Sequence, residues 1–565
     1  MKKWIKKNDS INTIAGVIEA NTGLSIEELE NPPENPYLEG LSECVSVVKR
    51  CISEGMEIHI VGDYDCDGDT SSTILKLGLE EYTGKQVSVR LPHRFSEGYG
   101  LSVKIIDEID SGLVITVDNG IAAVEAVKTA KEKGLTVVII DHHVIRDDGI
   151  IPSADAIMDP HAIPGSEYDG YCGAGLAYRF IMELNPETKL KEKLVALAGI
   201  GTVADVMPLT GDNRRLVRAS LEAVGSRKVT AGLRALLDAA GISAHPTESN
   251  YGFKLGPCFN AAGRLEDAGA EKVVNCISYD PDEYEAFMNQ EGMMADALEL
   301  VNLNKTRQKM VHEGMIYINE IMEKMDEIPN PIILYDKTFH EGLVGIFAGK
   351  LAEKYRRTAI VFTDSATQGI IKGSGRSYGE VNLKEELDKV SDLFAGYGGH
   401  KGAAGMSLPL DNLSLLQEKM GNNLKEVKTE NLSELQYDLE CSTEDIQSIC
   451  EELRQYAPFG EACPPVSFLI KNFNAIPKGS SYFEIMGDFK THVKLYGNDF
   501  NLMLFDMAER FRDDGEPREM DVIGYLSVEW FMNKPTYTVE VIDYKKKENK
   551  KTEAFSKLQD SFSFI

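Results

Sequence analysis

Three acidic stretches of this chain have the residue types and the spacing for metal chemistry. Asp63, Asp65 and Asp67 alternate in Gly62-Asp63-Tyr64-Asp65-Cys66-Asp67-Gly68, directly after an apolar run. Asp118 closes a second run in Thr116-Val117-Asp118-Asn119-Gly120, and Asp141-His142-His143 closes a third. Carboxylates gathered at one place repel, because neighbouring like charges cannot all ionise cheaply. Divalent cations between them remove that penalty. Carboxylate and imidazole donors without thiolate suit Mn²⁺ or Mg²⁺ better than zinc. Two such ions, about 3.5–4 Å apart, activate a water and stabilise the leaving oxygen in phosphoester hydrolysis. The first stretch also resembles a calcium loop, but the bidentate Glu required at loop position 12 is absent; counted from Asp63, that position is Ile74.

The acids need elements that bring them together. Glu57–Val61, Val87–Leu91, Leu113–Val117 and Thr136–Ile140 are short β-branched runs that read as buried strands. Between them lie segments of helical periodicity such as Ile121–Lys133, stopped by Gly134. Strand–helix alternation predicts a parallel sheet covered on both faces. In such a sheet the C-terminal strand ends share one rim, where ligands bind. All three acidic stretches fall on that rim.

Helices dominate from about Gly173 to Gly241, and Pro281–Met325 reads as one long helix whose Met and Leu content indicates packing. A second α/β lobe starts at Pro331-Ile332-Ile333-Leu334-Tyr335. Its glycines Gly373, Gly375, Gly398, Gly399, Gly402 and Gly405 let backbone approach a phosphate, with Lys372, Arg376 and Lys401 supplying charge. Short strands at Val466–Ile470, Thr491–Leu495, Asn501–Phe505, Asp521–Leu526 and Tyr537–Ile542 predict a small barrel or sandwich. A basic run from Lys545 to Lys551 leads into a polar tail ending Phe562-Ser563-Phe564-Ile565, read as a frayed terminus.

At 565 residues the chain exceeds a single core. No apolar run approaches the length of about 20 residues needed to cross a bilayer, and the N-terminus lacks the apolar segment of a signal peptide. Nine scattered cysteines without a Cys-x-x-Cys pair argue against disulfide or zinc frameworks and for a reducing, cytoplasmic setting. Sixty basic against ninety acidic residues give a net charge of −30. That balance opposes loose coating of duplex DNA. It leaves room for a local basic channel, because charge is screened within about 8 Å at physiological salt.

With these motifs the chain resembles the DHH phosphoesterase superfamily, whose signature triplet stands here as Asp141-His142-His143. Within it the similarity is to the RecJ family of bacterial single-strand-specific exonucleases. The resemblance implies a further metal ligand, Asp205, in Gly201-Thr202-Val203-Ala204-Asp205-Val206-Met207-Pro208-Leu209. It implies that Arg94, in His93-Arg94-Phe95-Ser96-Glu97-Gly98-Tyr99-Gly100, contacts a substrate 5′-phosphate. Leu255-Gly256-Pro257 and Asn260-Ala261-Ala262-Gly263-Arg264 match another family segment, and the glycine clusters of the second lobe look like the DHH-associated domain. The implied fold is α/β: a parallel-sheet DHH domain joined by a long helix to a smaller α/β DHH-associated domain, followed by an OB-like β-barrel. The corresponding divisions are 1–55 N-terminal segment, 56–280 catalytic, 281–328 connecting helix, 329–430 substrate-binding, 431–545 OB-like and 546–565 tail. Cys258 departs from the family pattern where arginine is common. Asp69 does so where an apolar residue is usual, and so does Gly460-Glu461-Ala462-Cys463-Pro464.

The combined reading is a 5′→3′ exonuclease for single-stranded DNA that releases mononucleotides, implied by resemblance to act in repair and recombination. Asp63, Asp65, Asp67, Asp118, His142 and Asp205 are expected to hold two Mn²⁺ or Mg²⁺ ions, with His143 beside them. Asp141 is expected to orient the histidines. His400 and Arg376 would neutralise charge on the phosphoryl oxygens. Arg94, Ser374 and Arg376 would grip the 5′-phosphate, with Asn260, Arg264 and Lys401 as further substrate contacts. Expected partners are single-stranded DNA with a 5′ end and a single-strand-binding protein or helicase, and no membrane. The rival readings are a DHH phosphodiesterase for short RNA oligonucleotides or cyclic dinucleotides, which are generally shorter, and an inactive nucleic-acid-binding scaffold. A pyrophosphatase is disfavoured because Val61 stands where its first histidine would be.

Overall fold

The computed structural model describes residues 2–146, 148–425, 434–531 and 534–547. Most of the expected tail, Phe562 to Ile565 included, lies outside the described residues.

The buried β-branched runs form a five-stranded, all-parallel sheet. Its order is Ser88–Arg90, Ile58–Val61, Leu113–Val117, Thr136–Ile140, Ala156–Met158. Alternation divides each strand between two layers. Ile60, Ile115, Val138 and Ile140 pack with the helices Leu41–Ser53, Cys66–Thr83 and Gly173–Leu184. Val61, Val114, Val137 and Ile139 pack with Val103–Asp107 and Val124–Glu132. Register aligns the C-terminal ends, Val61 opposite Thr116, Val117 opposite Ile140 and Ile140 opposite Met158. The residues just past those ends therefore share one rim.

The connecting helix is Gln290–Met322, 33 residues, which at 1.5 Å per residue spans about 50 Å. The short helix Glu283–Met288 precedes it. Met293, Ala297 and Leu300 belong to the first core, while Val311, Ile318 and Met322 belong to that of the second lobe. The helix is thus a strut anchored at both ends. The second lobe's sheet runs Gly396–Gly399, Ala403–Pro409, Ile370–Arg376, Ala359–Asp364, Ile332–Tyr335, with only the last pair parallel.

The C-terminal domain is a seven-stranded mixed sheet dominated by the 13-residue strands Glu519–Phe531 and Lys534–Lys546. Residues 2–55 are shared between two cores. Lys3–Lys6 pairs in parallel with Glu434–Tyr437, and Ile14, Val17, Ile18 and Leu29 pack with Phe468, Leu502 and Val539 of the C-terminal domain. Leu41–Ser53 covers the parallel sheet instead. Elements this short cannot bury an apolar face alone, so each borrows the nearer core.

One arginine ties these parts together. Arg214, fully buried on helix Gly211–Gly225, donates to Pro458 O at 2.7 Å and to Glu30 at 3.0 Å, and also to Tyr456 O. Arg218 adds a two-pronged pair to the same glutamate. Deleting one partner of a buried ion pair typically costs about 3–5 kcal/mol. Arg214→Ala should therefore lower the melting temperature by several degrees in a thermal scan. A melting temperature within a degree of the parent would contradict this joint.

Candidate metal centre

The loop after Ile58–Val61 turns back immediately. Asp65 caps the helix Cys66–Thr83, its Oδ1 accepting from Asp67 N at 3.0 Å and Gly68 N at 3.1 Å. Asp67 points inward, its two oxygens accepting from Gly173 N at 2.6 Å and Ala174 N at 2.9 Å, at the start of helix Gly173–Leu184. A helix N-terminus favours a carboxylate, and these two bonds fix where Asp67 is aimed. Asp118, at φ 60°, occupies the left-handed region as a non-glycine residue. Such strain is tolerated where function fixes a side chain.

These carboxylates converge on one imidazole. His142 Nε2 lies 3.1 Å from Asp118 Oδ1, 3.7 Å from Asp205 Oδ2 and 3.8 Å from Asp67 Oδ2. Donor atoms of Asp67, His142 and Asp205 form one group within 4.8 Å of each other, and those of Asp63, Asp65 and Asp118 form another. Asp118 also groups with His142 and His143. It is thus common to both sides of the cluster. Asp205 arrives from the end of helix Lys191–Ala204.

The electrostatics call for cations. Burial first, then neighbouring carboxylates, push Asp63 and Asp118 well above the usual range. The same causes raise Asp205 to about 8. Asp63 Oδ1 is buried without a hydrogen-bond partner. Burial, opposed by Asp67, holds His142 below its ordinary value, leaving the neutral ring that binds metals. Acids that cannot ionise together, an orphaned oxygen and a neutral imidazole fit a pair of divalent ions.

Asp141 does not face the cluster. Its Oδ1 meets His143 Nδ1 at 2.7 Å and His142 N at 2.8 Å, while Oδ2 accepts from Ile121 N at 2.9 Å. Burial lowers the charge on His143, but the Asp141 hydrogen bond and nearby acids outweigh it and raise the ring to about 9. Asp141→Asn should leave metal occupancy at the parent level in calorimetric titration and cut turnover roughly 10–100-fold. Loss of both ions would contradict an orienting role.

Sequence reasoning missed three supports. Tyr99 OH reaches His143 Nε2 at 3.1 Å and Asp118 O at 3.2 Å. His161 Nδ1 contacts His142 O at 2.6 Å, and the buried Asp159 accepts from His161 N at 2.9 Å. Asp159 and His161 follow the three-residue strand Ala156–Met158, too short to register as a strand. Its place on the same rim was the available signal.

The basic residues divide. Arg94 lies over the Tyr64 ring at 4.6 Å, and Arg376 Nη1 donates to Ser374 Oγ at 3.1 Å. Burial, then Arg94, with Arg307 and Arg376 adding and Asp65 opposing, hold Arg264 down to about 10. Two glycines let the parts meet. A Cβ on Gly263 would stand 2.3 Å from Tyr64 O, and one on Gly342 1.9 Å from Arg264 O. Other expected contacts are not assembled here. Asn260 Oδ1 accepts from Cys66 N at 3.0 Å and so braces the acidic loop. Lys372 is paired with Glu341 at 2.6 Å. Among the described residues no contact joins His400 or Lys401 to the cluster; exposed His400 accepts from Gly402 N, and Lys401 lies 3.6 Å from Glu380. Asp69 is buried with both oxygens unpartnered, and burial, then Asp65 and Asp63, push its carboxyl well above the usual range.

Acids and imidazoles on a parallel-sheet rim, with Arg94 and Arg264 beside them and Arg376 close by on the second lobe, define a metal-dependent phosphoesterase of the DHH type. Family models match three segments: "DHH family, N-terminal domain" at 57–202, "DHHA1 domain" at 329–426 and "RecJ OB domain" at 437–543. The single-stranded-DNA-specific exonuclease RecJ of Bacillus subtilis is 35% identical over 87% of this chain and 62% of its own length. That of Dickeya dadantii is 32% identical over 76% of this chain and 78% of its own. The crystal structure of RecJ in complex with Mn²⁺ from Thermus thermophilus is 27% identical with a TM-score of 0.75, covering 95% of this chain and 76% of that one. The chain belongs to the RecJ family. The donor groups on the rim, carboxylate and imidazole without thiolate, fit the Mn²⁺ or Mg²⁺ expected from the sequence.

Proposed function

We propose that the chain is a single-stranded-DNA-specific 5′→3′ exonuclease that releases 5′-mononucleotides. The observation that carries this reading is the meeting of Asp63, Asp65, Asp67, Asp118, His142 and Asp205 on one rim, with Arg94 close enough to favour the charge on Asp63 and Arg376, bonded to Ser374, close to Arg94. Those six side chains would hold two divalent ions. When bound, the ions supply Lewis acidity and an activated water for phosphodiester hydrolysis. Water adds to phosphorus, the P–O3′ bond breaks, and O3′ leaves with a proton. The departing nucleotide keeps its 5′-phosphate, and the shortened strand begins with a new one.

The chain's own groups set this up. Asp141 retains the proton on His143 Nδ1, which keeps a cationic ring beside the phosphoryl oxygens. Arg94, Ser374 and Arg376 hold the terminal 5′-phosphate, which fixes polarity, and Arg264 spans the gap toward Asp65. His400, Asn260 and Lys401 are carried as substrate-side residues whose approach needs the strand present. The C-terminal sheet, docked through Arg214, favours a long strand over a dinucleotide. Nine unpaired cysteines support a cytoplasmic setting, where a single-strand-binding protein or helicase would deliver such strands. No helix among the described residues is long and apolar enough to cross a membrane.

A time course on 5′- and 3′-labelled single-stranded DNA with Mn²⁺ or Mg²⁺, beside RNA and duplex, tests the proposal. The 5′ label should appear in mononucleotide from the first time point while the 3′-labelled strand shortens gradually. Release of the 3′ label first would overturn it. Arg376→Ala should abolish the preference for phosphorylated over hydroxyl 5′ ends, and unchanged discrimination would remove that residue from the grip.

A further inference from the structure

The connecting helix carries a guanidinium that the reaction above leaves unused. Arg307 lies one turn after Asn304, on the face toward helix Gly256–Leu265. Asn304 is buried, its Nδ2 lies 3.7 Å from Cys258 Sγ, and its Oδ1 accepts from Arg307 Nε at 3.1 Å. That bond fixes the guanidinium by one edge and leaves both terminal nitrogens as a fork. Among the described residues, Arg307 has no carboxylate partner, and neither have Arg94, Arg264 and Arg376. Arg264 stands close enough to the other three for each to disfavour its charge.

Partly buried like charges that lack a paired carboxylate are costly unless an anion is brought to them. The planar fork of an arginine matches a phosphate bidentately. We propose that Arg307, oriented by Asn304, binds a phosphate of the DNA strand beside Arg264, which makes the connecting helix a wall of the strand channel. This inference rests on the single-strand reading of the site. Arg264 mediates between the terminal-phosphate grip at Arg94 and Arg376 and the Arg307 side. The strand therefore meets a basic run from all three structural parts: the catalytic domain, the helix and the second lobe.

Fluorescence anisotropy with a 5′-phosphorylated oligothymidylate tests it on the full chain without divalent ion, from 50 to 200 mM salt. Arg307→Gln should weaken binding roughly tenfold or more at the lowest salt. The slope of log affinity against log salt should shrink by about 0.7, the loss of one phosphate contact on a single strand. Arg307→Lys should restore the slope while recovering only part of the affinity, because a point charge replaces the fork. Parent affinity and slope in Arg307→Gln would overturn the inference. So would an affinity loss with an unchanged slope and a lowered melting temperature, the mark of a structural role. If the parent chain itself fails to bind the oligonucleotide, the single-strand reading falls as well.

Discussion

Asp118→Asn should lower turnover on single-stranded DNA by about a thousandfold or more, and it should raise the melting temperature of the metal-free protein. Both effects come from one carboxylate. Asp118 belongs to two of the three donor groups of the cluster and stands 3.1 Å from His142 Nε2. Metal stabilisation of transition-state charge is worth several kcal/mol, and each 1.36 kcal/mol is a factor of about ten. Without ions, the same carboxylate is a liability: it is buried among Asp67, Asp65 and Asp63, each of which opposes its ionisation. Asparagine keeps the shape and removes that conflict. It also tolerates the left-handed backbone at φ 60°, which alanine would strain. Turnover within tenfold of the parent, or a metal-free variant that melts lower, would contradict this account of position 118.

The metal-free protein should lose stability as pH rises from 6 to 8.5, and Mg²⁺ should reverse that trend. Asp205 is raised to about 8 by burial and then by Asp67 and Asp65. Asp159 is raised to about 7, by burial first and then by Asp141. His143 reaches about 9 because its bond to Asp141 outweighs burial. In all three the folded value lies above the unfolded one, near 3.9 for the acids and about 6.5 for the imidazole. Their contribution is complete below the unfolded values and is lost as pH climbs through the folded ones. Metal binding needs the deprotonated ligands and so strengthens over the same interval. At a hundredfold excess over Kd, one ion adds about 2.7 kcal/mol. Thermal scans at the two pH values, with and without Mg²⁺, check the crossing. A metal-free curve that is flat or rising would rule out the crowded, protonated cluster.

Much of the fold was legible because burial on both faces leaves a direct trace. Leu113–Val117 and Thr136–Ile140 are strands over the residues their β-branched composition indicates. The acids were legible for the same reason, since a strand end is easy to locate and a rim collects strand ends. Short or shared elements left weaker traces. Ala156–Met158 has three residues, so the support from Asp159 and His161 went unseen. Lys3–Lys6 becomes a strand only by pairing with Glu434–Tyr437, a partner from the far end of the sequence, which no local pattern records. A long helix was visible, but the expected 281–325 segment is broken at Asn289 into Glu283–Met288 and Gln290–Met322; Met293 and Leu300 pack as expected, while Leu298 is exposed. Periodicity could not separate Asn304 and Arg307 from the polar residues around them.

Anomalous diffraction at the manganese edge, from crystals grown with Mn²⁺, reaches the central claim most directly. Two peaks should appear, bounded by Asp63, Asp65, Asp67, Asp118, His142 and Asp205, with Asp141 turned toward His143. A map without peaks in that cleft, or with ions held by other side chains, would contradict it.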